Sequence, residues 1–407
     1  MTESTPGGTR RIQLSVLLGL LATLGPYSMD SFFPSLRAIG AQFHLTDWQA
    51  QQALTFYLVP NAFMALVHGS LSDALGRRRV VLQSLLIYML ASVGCVLAPS
   101  ATVLFACRAI QGIVGGAGVI VGRAVVRDCY HGAQAQRLMS VITMIFGVGP
   151  AVAPVIGGWV QQLWGWRAVF GTMMLWSAAL LYAAWRWLPE THPPERRTRV
   201  APVELMRHNG RVLYHREFLL LACGSGLCFI AMHVYTGSAP AIIFDHWHMK
   251  ETQFAALTLP IIGGYMFAAW CSGKLAGRIA PQRQARLGFT VLLVLTALML
   301  LLQSLPWHDG APVHLQQLLL CGTAAGVQLM YPVIMLRVLD LFPDARGAAA
   351  SMQSFFSLMF GSLAMGLFAP LLSRSMQWLA MASFLAAVLG WLLWRTAQRH
   401  LRAPDAV

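Results

Sequence analysis

The chain has 407 residues, 57% of them apolar or aromatic and only 11% charged, against roughly a quarter charged in a water-soluble domain, so a soluble globule is excluded. The net charge of +14 does not point to nucleic acid, because all but two of the 29 basic residues are arginines spread between apolar runs rather than gathered on one face. Seven cysteines, an odd number without a CxxC pair, imply neither a disulfide frame nor a metal site.

Crossing a bilayer takes about 20 apolar residues, and a span with its loop about 34, so the length holds about twelve crossings and no separate catalytic domain. In chain order the apolar runs predict spans near 12–34, 49–70, 80–98, 101–124, 138–160 and 166–187. The second set is predicted near 217–244, 252–273, 285–305, 314–338, 347–372 and 375–395. The first run is too long for a signal peptide and reads as span one. With the N-terminus inside, twenty-two basic residues fall on the inner side and four on the outer, which places both termini in the cytoplasm.

The polar stretch after span six divides the spans six and six. The expected organisation is an N-terminal bundle over 1–188, a cytoplasmic linker over 189–216 and a C-terminal bundle over 217–407. GSLSDALGRRR, from Gly69 to Arg79, and GKLAGRIAPQR, from Gly273 to Arg283, stand at the same topological position in the two halves, 204 residues apart. They share Gly69 with Gly273, Leu71 with Leu275 and Arg79 with Arg283. The expected fold is an all-α membrane protein of twelve transmembrane helices in two pseudo-symmetric six-helix bundles.

In span one, Asp30 is the only carboxylate that must lie at hydrocarbon depth; every other acid can reach a loop or a helix end. Tyr27 stands three residues before it, and Pro26 and Pro34 four residues either side, which loosens the helix around the carboxylate. Two readings stay open: an acid solvated near the outer surface, or a site that takes up and releases protons. Arg108, early in span four with Gln111 and Gly112 on its face, needs a partner in the membrane. Asp30 is one candidate, and carbonyls of the broken first span are another. Gly112 and Gly116 form a small-xxx-small pair for close helix approach.

Span five reads GVGPAVAPVIGG, in which Pro150, Pro154, Gly157 and Gly158 predict a bend and tight packing. The PIIGG run from Pro260 to Gly264 in span eight offers it a matching surface. In the loop after span two, Asp73 precedes Arg77, Arg78 and Arg79. Those arginines anchor topology, while Asp73 is expected to reach a helix N-terminus of the other half as a cytoplasmic latch with Gly69 and Gly76. Asp128 is a candidate partner for one of the arginines. Tyr57, Asn61, His233, Tyr235, Gln328 and Tyr331, with Tyr27 and Gln111, either line a cavity suited to an amphipathic organic molecule or pack helices. The DHWH run, Asp245 to His248, has the letters of a metal cluster but lies in a short loop, and no metal is expected there.

GSLSDALGRRR, RAIQGIVGGAG and GPAVAPVIGG, in this order, resemble the three signature motifs of the major facilitator superfamily, the last typical of its drug/proton antiporters. MDSFFP in span one, GWRAVF from Gly165 and LDLFPDARGAAASMQ from Leu339 resemble the Bcr/CflA branch of twelve-helix exporters. The resemblance implies alternating access and efflux of varied antibiotics or metabolites across a bacterial inner membrane. It further implies that Asp30 and Arg108 couple proton movement to transport, and that Asp73 and Arg77 form the loop gate. Position 22, where some relatives carry a second acid, is Ala22, and Ser31 and Phe32 follow Asp30 in place of the usual aromatic run.

The expected protein is therefore a monomeric carrier of a small molecule and protons, driven by the proton gradient without a cofactor. Its substrates are amphipathic antibiotics or, alternatively, one specific metabolite such as a nucleobase, sugar or amino-acid derivative. An enzyme is not expected, because Asp30 and His233 lack a third catalytic member. A channel would need a ring of acids or a filter loop.

Overall fold

The computed structural model describes residues 8–130, 132–197, 202–275, 278–307 and 310–400. Part of the expected linker, 198–201, lies outside the described residues. The described residues form helices and no strand. Among the described residues, eleven helices are long and apolar enough to cross a membrane, or twelve if Asp47–Ala65 and His68–Leu75, bent by 58°, make one span. Span one is Ile12–Phe43, span two that bent pair, span three Arg77–Val96, span four Ala101–Cys129, span five Met144–Trp164 and span six Trp166–Trp187. Spans seven to twelve are Arg216–Gly237, Glu251–Leu275, Pro281–Ser304, Val313–Leu341, Pro343–Leu372 and Met376–Arg399.

Span one departs most from expectation, running on to Phe43 rather than ending near residue 34. Its first helix, Gly8–Asp30, carries Pro26 inside it without interruption and stops at Asp30. Pro34 explains the stop. It has no N–H to give the Asp30 carbonyl, and its ring would collide with that carbonyl in a continuous helix. A turn and a short 3-10 segment, Phe33–Ser35, follow, and the helix resumes at Leu36–Phe43. Span seven ends earlier than expected, at Gly237, and Ile242–His246 forms a separate π-helical turn.

The chain divides into two compact units. Unit one comprises Met1–Ser35 with Phe63–Ala201, and unit two Leu36–Ala62 with Pro202–Val407. In unit one, span one packs along spans five and six and the later half of span four, while span three packs on spans four and six. In unit two, span seven packs on spans ten, eleven and twelve, span nine on ten and twelve, and span eight on ten.

Span five's helix, Gly132–Trp164, contains Pro150 and Pro154 without a break. Its glycine run serves span one: a Cβ at Gly157 would lie 2.0 Å from the Ser31 carbonyl oxygen. The span-eight glycine Gly264 is committed in the same way to the Cys321 carbonyl of span ten, also 2.0 Å from its would-be Cβ. The close approaches of Gly157 and Gly264 are thus made inside their own units, with spans one and ten.

Candidate functional site

Arg108 is fully buried in unit one, on the helix Ala101–Gly115 that Ser100 caps. A guanidinium brings five N–H donors and must find acceptors when water is excluded. Its Nη1 donates to Ser28 Oγ and to Gln111 Oε1, both at 3.0 Å, and reaches the Ser28 carbonyl at 3.4 Å. Gln111 passes the network on: its Nε2 donates to Ser92 Oγ of span three at 2.8 Å, and that hydroxyl donates to the Tyr88 carbonyl at 2.8 Å. The buried rings of Phe32 and Phe170 flank the charge, their centroids 5.0 and 6.0 Å from Cζ. Arginine over aromatic faces in a desolvated site gains cation–π attraction.

Of the two partners expected for Arg108, the structure supplies the carbonyl of span one and not the carboxylate. Ser28 and Asp30 are two residues apart on a helix, about 200° around its axis, so a helix that presents Ser28 to Arg108 turns Asp30 aside. The Asp30 carboxyl makes no hydrogen bond or ion pair among the described residues. Tyr27, the third expected residue here, donates its hydroxyl to Thr172 Oγ1 of span six at 2.8 Å, and Thr172 donates to the Val169 carbonyl. The break after Asp30 is therefore held from three sides: by Arg108, by span six, and by the Gly157 contact at Ser31.

Gly112 and Gly116 sit on the same helix, and Gly116 marks where it is interrupted before Ala117–Cys129. A little further on, Gly118 makes a close helix approach, its would-be Cβ 2.6 Å from the Leu21 carbonyl of span one.

In unit two, His233 Nδ1–H donates to the Phe229 carbonyl, 2.8 Å away, and the imidazole ring lies beside Gly361. Phe229 meets Tyr331 edge to face at 4.9 Å. His233 and Tyr331 are thus brought to one neighbourhood, with Gln328 one turn before Tyr331. Tyr235 is not: two positions after His233, it is buried on the opposite side of the helix. Tyr57 and Asn61 are buried in the N-terminal part of span two. Gln51 and Gln52, which the sequence reading passed over, donate from that segment to the carbonyls of Gly237 and Gly366, the latter at 2.9 Å. Arg37 forms an ion pair with Asp245 and lies over the Phe244 ring.

The loop before span three forms a second charged site in unit one. Arg77 is buried, with an ion pair to Asp73 four residues earlier, Nε 3.1 Å from Asp128 Oδ2, and Nη1 on Ser72 Oγ. The Asp128 partnership matches expectation. Asp73 pairs with its own loop's arginine, and the N-terminus of span three receives another carboxylate: Arg77 N–H donates to Glu190 Oε1 at 2.9 Å. An acid there opposes the positive end of the helix dipole. Gly76 has φ +98°, a backbone conformation that favours glycine, and a Cβ on it would fall 2.5 Å from Glu190 Oε2 and push that carboxylate aside. Arg197 approaches the same carboxylate at 3.9 Å. Glu190 was missed because an acid just past a span reads as ordinary loop polarity. Arg78 takes no part, donating instead to the Trp185 carbonyl, and Gly69 has open space around its α-carbon.

Among described residues no group of His, Cys, Asp or Glu has the arrangement to hold a metal ion, the DHWH segment included.

The family model described as Major Facilitator Superfamily matches residues 17–369. The chain is 30% identical over 301 residues to the "Uncharacterized MFS-type transporter YdgK" of Bacillus subtilis, covering 72% of this chain and 74% of that protein. It is 28% identical to "Multidrug resistance protein D" of Escherichia coli, covering 65% and 66%. Among solved structures, the inward-facing, unoccupied bacterial homologue of the human lysosomal transporter Spinster superposes with a TM-score of 0.74 at 15% identity, covering 97% of this chain and 99% of that one. At that identity the likeness speaks for the fold: helices of the number and order expected.

Proposed function

Because the chain belongs to the major facilitator superfamily, we propose that it is a proton-driven exporter of amphipathic antibiotics or related small organic molecules, working by alternating access. A multi-pass membrane transporter of small molecules is what the family carries; the similarity to a protein named for multidrug resistance supports the drug-export reading. The observation that carries proton coupling is the arrangement in span one. A carboxylate stripped of water needs a cation or N–H donors. Asp30, half-buried at the end of its helix, has neither among the described residues, which supports reading it as a group that takes up and gives back a proton. The neighbouring cation, Arg108, is occupied with Ser28, Gln111 and two aromatic rings.

In this reading Asp30 releases its proton when a cationic or polar substrate takes its place beside the carboxyl, and regains it after the substrate leaves. Arg108 does not carry the proton. It fixes the helix that ends in Asp30 by holding Ser28, and so sets where the carboxyl can turn. Tyr27 in unit one, and Asn61, His233, Gln328 and Tyr331 in unit two, are the side chains this reading assigns to substrate contact. Asp73, Arg77, Asp128, Gly69 and Gly76 form the gate on the cytoplasmic side, where both termini lie. The working division is the bundle 1–188, the linker 189–216 and the bundle 217–407, acting as one monomer without a cofactor.

Everted membrane vesicles containing the protein test this. A fluorescent monovalent cation is expected to accumulate when a pH gradient is imposed, and the Asp30→Asn protein is expected to show no gradient-driven uptake while still binding the dye. Uptake by Asp30→Asn at the wild-type rate would contradict the assignment.

A further inference from the structure

Spans three and six pack side by side in unit one, and a groove of about 460 Å³ runs between them on the exposed surface. Leu82, Leu86 and Met89 form one wall and Leu181, Tyr182 and Trp185 the other. The walls are apolar, and Leu86, Tyr182 and Trp185 are all exposed, so in a membrane the groove opens to lipid chains. Tyr182 and Trp185 lean together at its end, 6.3 Å between rings, the residue types that settle at headgroup depth.

The same end carries charge. Arg78 and Arg79 stand four residues before Leu82 and Gln83, which places them at the head of the groove-lining face of span three. Arg78 Nη2 donates to the Trp185 carbonyl at 2.6 Å, at the rim, and its Nε is buried with no hydrogen-bond partner. Neither arginine has a carboxylate in ion-pair range among the described residues. The acids nearby are committed elsewhere: Asp73 and Asp128 to Arg77, and Glu190 to the start of span three and Arg197. An arginine pair without an acid, at the mouth of an apolar slot, is complementary to a phosphate joined to acyl chains.

We propose that this groove, with Arg78 and Arg79, binds one anionic phospholipid from the leaflet on the side of the Arg77–Arg79 loop. An acyl chain lies along Leu82, Leu86 and Met89, and the phosphate accepts from the two guanidinium groups. A zwitterionic lipid fills the slot equally well, but its own cation opposes the arginines, so the selection is for net charge.

Native mass spectrometry of the full chain in detergent, titrated with phosphatidylglycerol or with phosphatidylcholine of the same chains, tests the proposal. Each engaged arginine is expected to contribute roughly fivefold, so the first phosphatidylglycerol binds roughly twenty-fivefold more tightly than phosphatidylcholine. The double variant Arg78→Gln, Arg79→Gln loses that preference. Ala178 also lines the groove on span six, and Ala178→Phe, which fills it and leaves the charges untouched, weakens both lipids together and keeps the test valid if the double variant folds poorly. Glycerol phosphate, which has the charge and no chains, does not displace the lipid. Equal binding of the two lipids to the wild type, a preference that survives Arg78→Gln, Arg79→Gln, displacement by glycerol phosphate, or a dimer that closes the groove against lipid would each overturn the proposal.

Discussion

Arg108 is tied to Ser28, two residues before Asp30 in span one, and the two ionisable side chains have different surroundings. Arg108 spends its donors on Ser28 and Gln111 and lies between Phe32 and Phe170. A lysine keeps the charge but offers a point cation on a flexible stem, without the planar fork or the stacking face. Arg108→Lys is therefore expected to fold, to bind dye, and to export at least about tenfold more slowly in everted vesicles, since Ser28 and Gln111 are no longer held together. Asp30→Asn should behave oppositely on stability. The carboxyl makes no hydrogen bond or ion pair here, so removing its acidity costs the fold little. Its thermal unfolding in detergent is expected to match wild type to within about 0.5 kcal/mol, while gradient-driven transport is lost. A large fall in stability would mean that Asp30 holds a partner, and would weaken its role as a proton site.

Span one is the element on which the account turns, because its helix stops at the residue that carries the acid. Pro34 denies the Asp30 carbonyl its helical donor, and Gly157 of span five lets the Ser31 carbonyl lie against the neighbouring backbone. Gly157→Ala places a methyl carbon where that carbonyl oxygen sits, and the two helices must separate. Overpacking of this kind costs about 1 to 3 kcal/mol, to be read as a lowered unfolding midpoint. Gly263→Ala is the control: it has open space and is expected to be neutral. Pro34→Ala restores the missing N–H. The expected result is a continuous helix through Ser31–Ser35, a protein at least as stable as wild type, and slower export. Export by Pro34→Ala at the wild-type rate would show that the break is not needed.

For the whole molecule, the proposed function with a single embedded acid predicts one proton per cycle. Exchange of one proton for a monovalent cation then moves no net charge, so voltage should not drive it, whereas export of a neutral substrate gains about 2.3 kcal/mol per 100 mV. Dye export from liposomes with the pH gradient fixed and the voltage set to zero or imposed distinguishes these; voltage-driven export of a monovalent cation would contradict the count. Bilayer thickness made the number of spans readable from the residues, since each apolar run must be about as long as the membrane is thick. The need of Arg108 for a partner was readable for a similar reason, because a guanidinium in hydrocarbon has few alternatives. Which partner it takes was not. Ser28 and Asp30 differ only by rotation about span one, and that rotation is set by packing against Phe170, Thr172 and Gly157 from distant parts of the chain. The same holds for His233 and Tyr235, two polar aromatic residues that the helix turns to opposite sides. Glu190 and Gln51 were unreadable because their partners are backbone groups, which carry no residue identity. The measurement closest to the central claim is substrate-induced proton release from purified protein in weakly buffered detergent solution. The wild type is expected to release about one proton per bound cation and Asp30→Asn none; release by Asp30→Asn equal to the wild type would show that another group carries the proton.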